Sequence, residues 1–177
     1  SSLTSQRTRF IAVSQQVKNG NFSELASAKD ELDDYPLVPY LDYYTLSYQP
    51  DINRFNAVKR FVARYPQSYL ASRLTERYAL LMMQNNMWKE YLQLQPAEPQ
   101  SMTLRCAWQM AQYQTGKTDQ AISFARKIWF YGHSRPTTCD SLFSLWKKNS
   151  GMKEEDMTQV GRIIVRLMNE GESAVPQ

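Results

Sequence analysis

The chain has 177 residues, a net charge of +4, 42% hydrophobic residues and 21% charged residues, which predicts one folded domain or part of a larger one rather than a disordered chain. Two cysteines and one histidine exclude a structural zinc site with four Cys/His ligands, and no glycine-rich phosphate loop occurs. The mean hydropathy of −0.57, with no apolar run near ~20 residues, excludes a membrane span. We predict no metal and no cofactor, and a surface position for the lone His133.

Apolar residues recur at helical spacing along the whole chain, and glycines and prolines separate the stripes. The first stripe contains Phe10, Val13 and Val17, and strand-like alternation appears nowhere. The stripes predict ten helices, over residues 5–18, 22–33, 38–48, 52–64, 68–84, 87–94, 101–114, 118–131, 138–149 and 153–169.

The helix breakers are regularly spaced. Pro36, Pro66 and Pro96 lie thirty residues apart, and Gly116 precedes the small residue Ala121 on the next predicted helix. An aromatic residue, a glycine turn and small residues in this order are typical of tetratricopeptide-like helix hairpins, which bury their faces by stacking. The pattern predicts an all-α fold, a superhelical α-solenoid of short antiparallel helix pairs. A compact helical bundle is the alternative.

Positive charge is concentrated in residues 54–77, which contain six basic side chains and one acid, Glu76. We favour a solvated helix face as the explanation. The alternative is contact with an anionic partner such as a glycan, for which Arg54, Arg60 and Arg64 are the candidates. A nucleic-acid partner ranks last, because the net charge is small and no DNA- or RNA-binding motif occurs.

Eleven tyrosines are present, and Tyr40, Tyr44 and Tyr48 share one face of a predicted helix at i, i+4 and i+8. Aromatic rings with polar tips suit both hairpin packing and stacking on sugars. We favour packing and keep Tyr40 and Tyr44 as candidate glycan contacts. The acidic cluster at Asp30–Asp34 is interpreted as a solvated face, so no catalytic residue is predicted.

Several segments together resemble a known family. They read DYPLVPYLDY at 34–43, TGKTDQAISFARKIW at 115–129 and CDSLFSLW at 139–146, after an opening QRTRF at 6–10. With these segments the chain, from about Gln6 to Met168, resembles the N-terminal U-shaped domain of the large soluble lytic murein transglycosylases of Gram-negative bacteria.

The resemblance implies a fold and a function. In that family a superhelix of helix pairs closes into a ring with a linker domain, and a separate lysozyme-like domain cleaves the MurNAc–GlcNAc bond to give 1,6-anhydromuropeptides. The family's catalytic glutamate lies in Glu-Ser followed by Gly-Leu-Met-Gln. Here Glu172 and Ser173 are followed by Ala-Val-Pro-Gln, so no catalytic residue is transferred. We expect residues 1–177 to be a single superhelical segment that lacks the lysozyme-like domain and is inactive alone.

The expected function is a non-catalytic scaffold in the periplasm that helps to form the ring and guides glycan strands. Its expected partners are murein glycan strands and the linker and catalytic domains of the enzyme. The alternative is a tetratricopeptide-like adaptor for another protein. The spacing of Cys106 and Cys139 leaves open whether they pair; the oxidising periplasm that the resemblance implies predicts a disulfide between them.

Overall fold

A computed structural model describes residues 2–130, 135–150, 158–159, 161–164, 166–167 and 169–170 of the chain. The all-α prediction is confirmed: these residues form helices and connecting turns, without strands. The chain divides into two compact units, Ser1–Asn85 and Asn86–Gln177. The single continuous segment over 1–177 stays a prediction.

The described residues of the first unit, 2–85, form five α-helices. They are α1 (Leu3–Lys18), α2 (Leu25–Glu31), α3 (Pro39–Ser47), α4 (Phe55–Arg64) and α5 (Tyr69–Gln84), with a 3₁₀ turn at Ile52–Arg54 leading into α4. Helix α1 packs on α2 and α3, and α3, α4 and α5 pack on one another. Contacts between helices one and two positions apart along the chain are typical of solenoid-like folds.

The second unit continues the same pattern. Its described helices are α6 (Trp88–Leu94), α7 (Met102–Gln114), α8 (Thr118–Trp129) and α9 (Asp140–Ser150), with a 3₁₀ turn at Thr137–Cys139 before α9. Helix α7 packs on α6, α8 and α9, and α8 packs on α9. The described residues between 158 and 170 are helical as well.

Glycine ends two of the helices for the same physical reason. Gly20 after α1 and Gly116 after α7 have φ angles of 85° and 107°, a region that glycine enters at little cost. The N–H of Gly20 donates to Val17 O at 3.0 Å and the next N–H donates to Gln16 O at 2.9 Å, which is the Schellman pattern. The hydrogen bonds around Gly116 repeat it. Both glycines therefore begin the tight hairpin turns that the sequence predicts.

Each unit has its own apolar core. In the first unit one buried cluster contains Phe10, Val13, Val17, Ala28, Leu32, Tyr35 and Leu41. Further buried apolar residues of this unit lie on α4 and α5, among them Val58, Phe61, Leu74, Ala79 and Met82. In the second unit one buried cluster contains Cys106, Ala121, Phe124, Ala125, Ile128, Cys139, Leu142 and Trp146. Ala121 and Ala125 are fully buried on α8, as the hairpin pattern requires.

The nine predicted helices from 5–18 to 138–149 correspond to observed ones, with ends that differ by at most three residues. The predicted helix 52–64 is a 3₁₀ turn followed by α4, and the start of 138–149 is likewise a 3₁₀ turn. The predicted helix 153–169 lies partly outside the described residues. Within the described residues, no helix is both long enough and apolar enough to cross a bilayer.

Candidate functional site

Cys106 and Cys139 form a disulfide in the second unit, with Sγ atoms 2.09 Å apart and Cα atoms 5.0 Å apart. Cys106 lies on α7 and Cys139 in the 3₁₀ turn before α9, and both are fully buried. Beside the bond, Thr138 Oγ1 donates to Thr103 O at 3.1 Å. The disulfide thus joins α7 to the start of α9 inside the core.

The basic stretch is not one uniform surface. Arg54 is half-buried; its Nη1 donates to Thr45 O at 2.7 Å and its guanidinium lies 5.2 Å from the ring centroid of Phe22. Arg60 and Arg64 on α4 are exposed. Arg54 therefore has structural contacts in a half-buried position, whereas Arg60 and Arg64 are exposed, with the Arg64 guanidinium 5.6 Å from the ring centroid of Tyr65.

Three consecutive carbonyls at the end of α3 accept hydrogen bonds from side chains of other elements. Arg54 Nη1 donates to Thr45 O (2.7 Å), Tyr78 Oη to Leu46 O (2.6 Å) and Arg77 Nε to Ser47 O (3.1 Å). The last carbonyls of a helix lack partners within the helix, and cations near them also interact favourably with the helix dipole. These contacts fix α3 against α5, and the sequence analysis did not predict them.

The tyrosines of α3 and the residue that follows it, Tyr48, form a row of neighbouring rings. Ring centroids are 5.8 Å apart for Tyr40 and Tyr44, 5.9 Å for Tyr43 and Tyr44 and 5.6 Å for Tyr44 and Tyr48. Lys18 Nζ lies 4.3 Å from the Tyr44 centroid. Burial raises the pKa of Tyr44 above its ordinary value, and the neighbouring tyrosines raise it further. Tyr40 and Tyr44 are half-buried, so their side chains pack against the protein and also keep part of their surface accessible.

An open cleft of about 490 Å³ lies between α3 and α5, at the end of the tyrosine row. Its α3 side is formed by Tyr43, Ser47 and Tyr48. Its α5 side is formed by Arg73, Glu76, Arg77 and Leu80, which lie at i, i+3, i+4 and i+7 and so share one helix face. The cleft is lined by two guanidinium groups, one carboxylate, a serine hydroxyl and two tyrosine side chains.

Several of the described carboxylates are held in ion pairs. Glu24 and Glu31 form ion pairs with Arg9, at 3.2 and 2.9 Å, and Asp42 pairs with Lys29 at 2.8 Å. The predicted solvated cluster at 30–34 is exposed at Asp30, Glu31, Asp33 and Asp34. Within the same described residues, no three His, Cys, Asp or Glu side chains group as they would around a metal ion. His133 and the Glu172–Ser173 dipeptide lie outside the described residues.

Comparisons of the whole sequence point to one enzyme group. The chain is 31% identical over 166 residues to the soluble lytic murein transglycosylase of Salmonella typhimurium, and 29% identical to that of Escherichia coli K12. Each alignment covers 92% of this chain and 25% of the relative, so the chain spans about a quarter of the length of the curated relatives it matches. No family model matches the sequence.

Solved structures agree with the sequence comparison. The 70 kDa soluble lytic transglycosylase in complex with bulgecin A is similar with a TM-score of 0.73 and 25% identity, over 96% of this chain and 32% of that one. The 1.65 Å structure of the Escherichia coli enzyme gives the same TM-score with 24% identity, which supports the fold.

Proposed function

Because the chain is homologous to the soluble lytic murein transglycosylases over 92% of its length, we propose that it is a non-catalytic superhelical scaffold segment of such an enzyme in the periplasm. The alignment carries the proposal, because it covers nearly the whole of this chain and only a quarter of the relative. The segment would form part of a ring with the linker and catalytic domains of the same enzyme.

The catalytic step would belong to the lysozyme-like domain. There, one carboxylic acid protonates the glycosidic oxygen and then assists attack by the muramoyl 6-hydroxyl. The described part of this chain supports a different role, because Glu24, Glu31 and Asp42 are held in ion pairs with basic side chains.

The segment would also guide murein strands past the enzyme. Murein carries carboxylates on its peptides, and exposed cations attract anions in a salt-dependent way. Arg60 and Arg64 are exposed on α4, while Tyr40 and Tyr44 present partly exposed rings on α3. We assign the anionic contact to Arg60 and Arg64 rather than to Arg54, because Arg60 and Arg64 are exposed whereas the Arg54 guanidinium is half-buried against Phe22.

Co-sedimentation with purified sacculi tests this proposal. We expect the 177-residue chain to pellet with sacculi, less so as salt is raised, and an Arg60→Glu/Arg64→Glu variant to bind several-fold more weakly. An Arg7→Glu/Lys89→Glu variant carries the same charge change at two exposed positions elsewhere and should bind almost as well as the wild type. A chain that stays in the supernatant at low salt would contradict the proposal and favour a protein-binding adaptor.

A further inference from the structure

The cleft between α3 and α5 has the charge pattern of a site for a small acidic peptide. Arg73 Nη1 lies 3.8 Å from Glu76 Oε2, a loose pair at the surface that leaves both groups able to meet a ligand. Arg77 uses its Nε for Ser47 O, which holds the guanidinium at the cleft wall. The two terminal nitrogens of a guanidinium held in this way can still bind a carboxylate.

The ligand class follows from this composition. Two guanidinium groups and one carboxylate complement a ligand that carries two carboxylates and one ammonium group, whereas a neutral sugar could hydrogen-bond to these groups but would balance none of the three charges. Leu80 and Tyr48 line the same cleft and are 38% and 49% exposed, so they offer apolar surface to small side chains. A volume of about 490 Å³ lies within the usual range of ligand sites.

The cleft is also held in place without a ligand. Tyr78 is fully buried directly beside Arg77 in the sequence, and its hydroxyl donates to Leu46 O at 2.6 Å, which fixes α5 against the end of α3. Ser47 is buried as well, and its carbonyl accepts a hydrogen bond from Arg77 Nε, so hydrogen bonds join the two walls of the cleft. A site that is formed before the ligand binds loses less entropy on binding, which favours even a modest set of contacts.

We propose that this cleft binds the acidic stem peptide of murein, with Arg77 and Arg73 on its carboxylates and Glu76 on its ammonium group. The proposal rests on the proposed function for the choice of murein, and on the cleft itself for the choice of peptide over glycan. It gives the segment a second contact, apart from Arg60 and Arg64 on α4, that recognises the peptide branches of a strand.

The test is a titration of the isotope-labelled 177-residue chain by NMR with N-acetyl-L-Ala-γ-D-Glu-L-Lys-D-Ala, which carries two carboxylates and one ammonium group. We expect shifts centred on Ser47, Tyr48 and Arg77, and no comparable shifts with the same peptide amidated at both carboxylates. Arg77→Gln should weaken binding roughly tenfold, the loss expected for one charge-assisted hydrogen bond. Arg7→Gln makes the same charge change on α1 and should leave the affinity unchanged.

A second variant separates binding from folding. Arg77→Gln also removes the hydrogen bond to Ser47 O, so Arg73→Gln, at an exposed position, should weaken binding several-fold with the unfolding transition unchanged. Equal binding of the amidated peptide, shifts outside the cleft, or preferential binding of chitotriose would each overturn the proposal. If the wild-type protein pellets with sacculi but does not bind the peptide, the peptide site is refuted and the proposed scaffold function stands. If the protein binds neither sacculi nor the peptide, both proposals are refuted.

Discussion

Removal of the Cys106–Cys139 disulfide is the perturbation whose size follows most directly from the structure. The bond closes a loop with a sequence separation of 33 residues. On the chain-entropy model, closing such a loop lowers the conformational entropy of the unfolded chain and so stabilises the folded chain by about 4 kcal/mol at 25 °C. Both cysteines are fully buried in the core of the second unit, so loss of the bond removes this restriction and also leaves two small apolar side chains.

We expect three variants to behave alike. Cys106→Ala and Cys139→Ala each break the same bond, so each alone should cost nearly as much as the double variant, and the two effects should not add. A loss of about 4 kcal/mol in a chain of this size should lower the melting temperature by roughly 8–16 °C. The helix content at 25 °C should stay the same, because α7 and α9 keep their apolar contacts.

The assay is thermal unfolding followed by circular dichroism at 222 nm, with intact-mass measurement after alkylation without reductant as a check of the bond. Wild-type protein should take up no alkylating agent. Additive effects of the two single variants, or melting temperatures within about 2 °C of the wild type, would refute the reasoning that the bond acts through loop closure.

Two further predictions concern the end of α3. Burial raises the pKa of the Tyr78 hydroxyl, so the folded chain keeps this proton above pH 10, where the unfolded chain loses it. The free energy of unfolding should therefore fall above about pH 10, by up to about 1.4 kcal/mol per pH unit. Urea titrations between pH 7 and 11.5 should show a smaller fall in the Tyr78→Phe variant than in the wild type. The variant should also be about 1–2 kcal/mol less stable at pH 7, because Leu46 O loses its hydrogen-bond donor. An equal fall in both proteins would mean that Tyr78 is not the group responsible. Arg54→Met should cost about 1–3 kcal/mol in the same urea assay because Thr45 O loses its donor, whereas Arg60→Met, at an exposed position, should stay within about 0.5 kcal/mol of the wild type. Equal effects of the two arginine variants would mean that the Arg54 hydrogen bond contributes nothing to stability.

The helices could be predicted from the sequence because their limits are set locally. Gly20 and Gly116 adopt positive φ angles that stop a helix whatever packs around them, and the apolar stripes mark which face is buried. Ser68 accepts a hydrogen bond from Ala71 N at 3.1 Å at the start of α5. A serine after Pro66 and before a long apolar stripe was a readable N-cap signal that the sequence analysis did not use.

The roles of individual charged residues could not be predicted in this way. Arg54 and Arg60 belong to the same basic stretch, yet one binds a main-chain carbonyl and the other is solvated. The difference depends on where α3 ends relative to α4, which is tertiary information. Likewise, the shared face of Arg73, Glu76 and Arg77 follows from helical spacing, but the meeting of that face with Tyr48 depends on how α5 packs on α3.

The central claim is that this segment binds murein and does not cleave it. Incubation of the purified chain with sacculi, followed by centrifugation and mass spectrometry of both fractions, tests the two parts together. We expect the chain in the pellet and no 1,6-anhydromuropeptides in the supernatant. A chain that remains soluble, or anhydromuropeptide products from protein free of other lytic enzymes, would contradict the claim.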